Sequence, residues 1–141
     1  MAMEMFVLSD RELNSISEWQ IAIDAKSFPL KLDQADFKTH SGFLPARLNG
    51  ELTGFECDHF PAAEFIDGTP NVDFGHNWMF VLAFRWIGDF KEMTAACMAA
   101  ASYAAATEGV VLDDQEAKIR TVAEAMEEAR YLGEKYAKSS S

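Results

Sequence analysis

The dipeptide Asn49-Gly50 constrains the fold of this chain more than any other local feature. It separates two runs of strand-forming residues, 43–48 and 51–57. Asn-Gly between such runs is the strongest short-range signal for a two-residue β-hairpin, because both turn residues must adopt positive φ. The cross-strand pairs that close this turn are Leu48 with Glu51, Ala46 with Thr53, and Leu44 with Phe55. The residues expected on the core face are Leu44, Ala46 and Phe55, and those on the opposite face are Phe43, Arg47, Leu52 and Glu56.

Further strands are predicted on both sides of this hairpin. The apolar run 3–8 and the short run 110–112 have strand character, and 28–32 is either an edge strand or a loop because of Pro29. Segment 77–86 is almost wholly apolar and aromatic, which predicts a central strand covered on both faces.

Capping patterns predict three long helices. Ser9 with Glu12 three residues later has the pattern of a capping box and predicts a helix over 9–25. Asp89 and the stop at Gly109 bound a helix over about 90–107. Asp113 with Glu116 predicts the start of the last helix, about 114–136. The order of elements favours an α+β domain: a mainly antiparallel sheet of about five strands with three helices packed mostly on one face.

The chain length of 141 residues fits one domain over 1–138, and the Ser-rich tail 139–141 is predicted to be disordered. The start of the sequence lacks the basic and apolar regions of a secretory signal, which favours a cytoplasmic protein. Cys57 and Cys97 then favour reduced buried thiols, although one disulfide remains possible from the sequence. The Ala-rich run 93–106 is too short to span a bilayer, so it predicts a buried helix, packed internally or at a homodimer seam.

Acidic residues dominate the charge of the chain. It carries 23 Asp and Glu against 12 Lys and Arg, for a formal net charge of -11. This balance disfavours nucleic acid and membrane surfaces as partners and favours a basic protein. Between Leu48 and Phe84 there is no Lys or Arg at all, and acids alternate there with large apolar residues.

That alternation predicts a partner-binding surface in which acids speed encounter and aromatic side chains supply a buried anchor. The predicted partner-binding residues are Glu51, Glu56, Asp58, Phe60, Glu64, Phe65, Asp67 and Asp73, with Phe74 as a further candidate anchor. The alternative interpretation is that these acids only solvate the surface. The leading functional hypothesis is a non-enzymatic binding protein with no catalytic residues and no cofactor.

A different class of function would use histidine. Asp58, His59, Asp73 and His76 would form an acid-base or metal site in a pocket between sheet and helices if they converged, which would suit a small enzyme or ligand-binding domain. Adjacent residues of a strand point to opposite faces, so Asp58 and His59 are not expected to act together. No compact metal-ligand motif supports this alternative, and no metal ligands are predicted.

The segments His40-Ser41-Gly42-Phe43-Leu44-Pro45, Leu48-Asn49-Gly50 and Gly54-Phe55-Glu56 carry a resemblance to a known group of proteins. Together they resemble a segment of small bacterial proteins of uncharacterised function, some of which are similar to immunity proteins that neutralise polymorphic toxins. The later Gly109-Val110-Val111-Leu112-Asp113 fits the same group. The resemblance implies an inhibitor that occludes a basic toxin or nuclease, and it implies no catalytic residues.

Overall fold

A computed structural model describes residues 3–114 and 116–139 of the chain. The described residues form four helices: α1 (Ile16–Ala25), α2 (Ala62–Asp67), α3 (Phe90–Thr107) and α4 (Val122–Ser139). They form seven strands: β1 (Met3–Ser9), β2 (Leu30–Leu32), β3 (Gly42–Leu48), β4 (Glu51–Pro61), β5 (Phe80–Trp86), β6 (Val110–Asp113) and β7 (Lys118–Arg120). Of the predicted tail, residues 140 and 141 lie outside the described residues, whereas Ser139 ends α4.

All seven strands belong to one sheet with the order β2-β3-β4-β5-β1-β6-β7, and every neighbouring pair is antiparallel. The predicted α+β class and the mainly antiparallel sheet are confirmed. The sheet has two more strands than predicted because the three-residue edge strands β2 and β7 are too short to give a periodic sequence signal, and the six-residue helix α2 is the fourth helix. Strand β5 is the middle strand, as its apolar sequence predicts.

The hairpin register agrees with the prediction. Leu48 lies opposite Glu51, Ala46 opposite Thr53 and Leu44 opposite Phe55. Asn49 and Gly50 have φ values of 51° and 81°, the positive values that the turn requires. The residues predicted for the core face are at most 1% exposed, namely Leu44, Ala46 and Phe55.

The predicted start of the first helix is wrong. Ser9 belongs to β1, where it pairs with Phe80, and its hydroxyl donates to the carbonyl of Arg11 at 2.7 Å. The helix begins seven residues later, where Ser15 Oγ accepts from the Glu18 amide at 3.1 Å. Both sites fit the pattern S-x-x-E. Ser9 cannot cap a helix because it lies in β1, which pairs with β5.

The predicted start of the last helix is also wrong. Asp113 ends β6 and pairs with Lys118 of β7. The capping box lies instead at Thr121 and Glu124, which exchange side-chain to backbone hydrogen bonds of 3.0 and 3.2 Å. By contrast Asp89 caps α3 as predicted, since its carboxylate accepts from the Lys91 and Glu92 amides.

The two faces of the sheet are covered differently. Helices α1, α3 and α4 cover one face, here called the helix face, and bury the larger core. On the other face, here called the outer face, α2 and the loop that follows it cover a smaller core. That smaller core is Phe6, Leu8, Ala62, Phe74, Val81 and Leu112. The outer face of the β3–β4 hairpin is left open, with Phe43 52% and Leu52 67% exposed.

The Ala-rich helix α3 lies inside the domain. Ala95, Ala96, Ala99, Ala100 and Ala101 are each 0% exposed. This stripe is therefore used for internal packing, and it is not available as a homodimer seam. None of the helices in the described part of the chain combines the length and apolar character needed to cross a bilayer.

Candidate partner-binding surface

Strand β4 divides the predicted site residues between the two faces of the sheet, because successive side chains of a strand alternate. Phe55 and Cys57 are buried on the helix face. Glu56, Asp58 and Phe60 therefore lie on the outer face, where Phe60 is 48% exposed. Three of the predicted partner-binding residues thus share one surface.

Helix α2 completes a groove on this surface. Phe6, Phe60, Pro61, Glu64 and Phe65 line a groove of ≈ 260 Å³, here called the α2 groove. Phe65 is packed against the smaller core, with its ring centroid 4.5 Å from that of Phe6 and 6.0 Å from that of Phe74. Phe65 consequently serves as the floor of the groove, whereas the exposed Glu64 and half-exposed Phe60 lie at its rim.

Phe74 does not contribute an exposed anchor. It is 8% exposed and belongs to the smaller core, so its proposed anchoring role is wrong. Asp67 ends α2 and Asp73 lies in the loop beyond it, and neither lines the α2 groove. The Asp73 carboxylate accepts from the Gly75 amide at 2.9 Å, which folds its own loop.

Further exposed apolar side chains, Phe43 and Leu52, lie on the same face nearer the β3–β4 turn. Phe43 lies opposite Glu56 in the register, and its ring covers the backbone of Gly54. A Cβ atom placed at Gly54 would lie 2.4 Å from Phe43 Cζ and 2.6 Å from Leu44 O. Glycine at position 54 is therefore what allows an aromatic ring to lie flat on this part of the sheet.

Two of the predicted acids on β4 are occupied by internal partners. Asp58 accepts from Ser41 Oγ at 2.6 Å and from the Gly42 amide at 3.1 Å. Glu51 lies on the helix side of the hairpin, where it binds Tyr136 and Lys91. Hydrogen bonds from these two groups hold the pKa of Glu51 below its usual value. The prediction that all eight residues form one surface is therefore only partly supported.

The acids left facing solvent are few. Glu64 and Asp67 are exposed and Glu56 is half-buried, and within residues 3–114 and 116–139 none of the three has a salt bridge. Arg85 of β5 lies directly opposite Glu56 in the sheet, and on its other side it lies opposite Glu4 of β1. The outer face is thus acidic next to α2 and mixed in charge beside β5.

Sequence reasoning missed Phe6 as part of this site. Phe6 comes from the N-terminal strand, 54 positions before Phe60, and joins the groove because β1 pairs with β5 on the side away from β4. Its sequence context is that of an ordinary apolar strand residue. Only the strand order places it beside α2, and no local pattern carries that information.

The histidine alternative finds no common site. His59 lies on the helix face, with Nδ1 2.9 Å from Glu12 Oε2 and Nε2 3.2 Å from the carbonyl oxygen of Phe37. His76 lies 2.6 Å from Asp10 Oδ2 on the surface, with its ring against Trp78. In the part of the chain that the structure describes, no hydrogen bond or ion pair joins Asp58 or Asp73 to either ring, so the four predicted residues do not converge. Among the described residues no group of three or more His, Cys, Asp or Glu is arranged to hold a metal ion.

Neither cysteine is an activated nucleophile. Cys57 and Cys97 are free thiols and both are buried, so the disulfide that the sequence left open is not present. Burial raises the pKa of Cys57 to about 12, and the neighbouring Asp58 carboxylate acts in the same direction. Burial likewise raises the pKa of Cys97 to about 12. Thiols that stay protonated at neutral pH are poor nucleophiles.

Comparison with known proteins adds no relative: no family model, no curated protein and no solved structure matches the chain.

Proposed function

We propose that this protein is a non-enzymatic binding protein that holds a basic protein partner on its outer face. The observation that carries the proposal is the α2 groove of ≈ 260 Å³, lined by three phenylalanines and one proline and bordered by the exposed carboxylate of Glu64. A groove of this kind accepts one apolar side chain of a partner and pairs a neighbouring Lys or Arg with the acid at its rim.

The charge of the chain supports a basic partner. A net charge of -11 attracts cationic proteins over a distance of about one Debye length, ~8–10 Å at ordinary salt. Glu64 borders the groove, Asp67 ends α2 and Glu56 lies on β4, and within the described ranges none of the three has a salt bridge, so they are available to a partner. Because Glu51, Asp58 and Asp73 have internal partners, we propose a smaller contact area than the eight-residue set first predicted.

The proposal includes the mode of action that the sequence resemblance implies. An immunity-type inhibitor needs no catalytic groups, since it acts by covering the working surface of a basic toxin or nuclease. Phe43 and Leu52, which are 52% and 67% exposed, extend the apolar area beyond the groove along the β3–β4 hairpin. Together with Phe60 they supply the scattered aromatic and aliphatic contacts typical of such an interface.

The experiment starts with a pull-down against the product of the neighbouring gene, followed by calorimetry of the purified pair. We expect Phe60→Asp to weaken binding by at least about tenfold, that is about 1.4 kcal/mol, because it removes the exposed aromatic ring at the rim of the groove. Glu64→Lys should weaken it through charge reversal and should also reduce the dependence of the association rate on salt.

Matched control variants separate the groove from general surface properties. Ile21→Asp changes a side chain that is 70% exposed on α1, and Glu127→Lys reverses a charge on the exposed side of α4. Both should bind as the unmodified protein does. If the product of the neighbouring gene does not bind, or if the control variants lower the affinity as much as the groove variants, the outer face is not the partner site.

A further inference from the structure

A cleft on the helix face, on the opposite side of the sheet from the α2 groove, is lined by four sulfur-bearing residues. It has a volume of ≈ 180 Å³ and opens where β1 and the end of β5 meet α3 and α4. Its lining includes three methionines and a cysteine: Met3, Met5, Met93 and Cys97. The four residues come from two segments that are almost 90 positions apart in the sequence.

Each segment presents its donors on one face. Met3 and Met5 are two residues apart on β1, and alternation of strand side chains puts both on the helix face. Met93 and Cys97 are four residues apart on α3, the spacing that places two side chains on the same side of a helix. The cleft lies between these two pairs. Methionine has three flexible side-chain torsions, so the thioethers can adjust to a common ligand.

Charged groups at the cleft favour a cation. Three acidic residues on the helix face, Asp113, Glu116 and Glu128, line it together with one base, Arg120. Arg120 Nη2 lies 3.0 Å from Asp113 Oδ2 and 3.5 Å from Glu116 Oε1, so the guanidinium is already neutralised by its neighbours. Three carboxylates against one guanidinium leave the entrance with a net negative charge, which raises the local concentration of cations.

We propose that this cleft binds one monovalent soft metal ion, Cu(I), through the sulfur atoms of Met5, Met93 and Cys97, with Met3 as a fourth donor. Thioether and thiolate sulfurs select Cu(I) over the harder ions that prefer carboxylate or imidazole. When the Cu–S bond to Cys97 forms, the thiol proton leaves to water. The bound pair of Cu⁺ and thiolate then has no net charge, which lowers the cost of holding the ion at the buried Cys97 sulfur.

The test uses the full chain with Cu(I), kept reduced by ascorbate without oxygen, and with Ag(I) as a redox-inert substitute. Competition against bicinchoninate should give one equivalent of bound Cu(I), and X-ray absorption should show sulfur atoms alone around the metal. We expect Met93→Leu and Cys97→Ala each to weaken the affinity by at least about tenfold, with melting curves confirming that both variants remain folded. Met→Leu is a nearly isosteric core change that proteins tolerate well.

Met98→Leu is the matched control, because Met98 is the residue after Cys97 on α3 and does not line the cleft. It should bind Cu(I) with unchanged affinity. Met79→Leu removes a thioether that is 60% exposed and tests for binding at the surface. The proposal is overturned if Cu(I) does not bind at one equivalent, if the metal has nitrogen or oxygen neighbours, or if Met98→Leu or Met79→Leu weakens binding as strongly as Met93→Leu.

Discussion

The hydroxyl of Tyr136 donates a 2.7 Å hydrogen bond to Glu51 Oε1, which fastens the C-terminal helix to the turn of the β3–β4 hairpin. Lys91 Nζ lies 3.3 Å from the other carboxylate oxygen, so three elements meet at one acid. Tyr136 is 5% exposed, and its burial together with the bond to Glu51 raises the pKa of its hydroxyl to about 12. Glu51 therefore holds the fold together and does not serve the partner surface.

Replacing Tyr136 by phenylalanine removes this bond and leaves the ring in place. We expect a loss of unfolding free energy of about 1 kcal/mol, the usual net value of one intramolecular hydrogen bond. The pKa of Glu51 is lowered by folding, so its contribution is present above the unfolded-state pKa and is lost as pH falls through the folded-state value. Urea denaturation from pH 7 to pH 3 should thus show a shallower acid decline for Tyr136→Phe.

Tyr131→Phe provides the comparison, since Tyr131 lies on the same helix but is 56% exposed. That variant should retain both the stability and the acid decline of the unmodified protein. Equal effects of the two variants would show that the bond between Tyr136 and Glu51 does not stabilise the fold.

The backbone of Gly109 approaches β1 too closely for any side chain. A Cβ atom at Gly109 would lie 2.3 Å from the carbonyl oxygen of Leu8 and 3.2 Å from its carbonyl carbon. Because backbone cannot move aside without breaking strand pairing, we expect Gly109→Ala to cost more than about 2 kcal/mol in chemical denaturation. Gly68→Ala is the control, since its nearest contact is 3.4 Å and its φ is negative. A change of the same size at Gly68 would argue against the contact with Leu8 as the cause.

Local sequence information was sufficient where one short segment decides the structure. The Asn49-Gly50 turn determines its own register, and Asp89 caps α3 without help from distant residues. Local sequence information failed where two segments matched the same capping pattern. Ser9 and Ser15 both match a capping box, and only the pairing of Ser9 with Phe80 decides between them.

The candidate site was likewise predictable only where one short segment determines the position of its residues. Alternation along β4 correctly put Glu56 on the face opposite Phe55, and it correctly separated Asp58 from His59. The sequence could not show that Glu51 turns toward Tyr136, 85 positions away. Residues that lie far apart in sequence meet through strand order and helix packing, which single-segment patterns do not contain.

The two buried thiols predict a loss of stability in alkali. The pKa of Cys57 rises from 9.0 to about 12 in the folded protein, and that of Cys97 rises by the same amount. Above pH 9 the unfolded chain therefore loses thiol protons that the folded chain keeps, so unfolding becomes easier as pH rises toward 12. Each thiol contributes a slope of up to about 1.4 kcal/mol per pH unit in this range.

Denaturation of Cys57→Ala between pH 7 and pH 11 tests this slope. At pH 7 the variant reports only the change in packing, since the thiol is neutral in both states. Above pH 9 its stability should fall less steeply than that of the unmodified protein. Parallel curves of stability against pH over the whole range would rule out the linkage to Cys57. The buried Tyr103, whose pKa is raised to about 12, contributes to the alkaline loss of stability in both proteins.

Two histidine–carboxylate pairs with different exposure allow a direct comparison of their contributions. In the pair of His59 and Glu12 the side chains are 18% and 21% exposed, whereas in the pair of His76 and Asp10 they are 52% and 47% exposed. His59 also contacts Phe37, both through the carbonyl oxygen and through the ring, whose centroid is 4.7 Å away. It thereby attaches the segment between β2 and β3 to the sheet.

We expect His59→Ala to cost about 1.5–3 kcal/mol of unfolding free energy, the range for hydrogen bonds to charged groups. His76→Ala should cost about 1 kcal/mol or less. A double-mutant cycle with Glu12→Gln and Asp10→Asn, measured by urea denaturation, isolates each pair. A larger coupling energy for the exposed pair would contradict the view that burial makes the contact with His59 the stronger of the two.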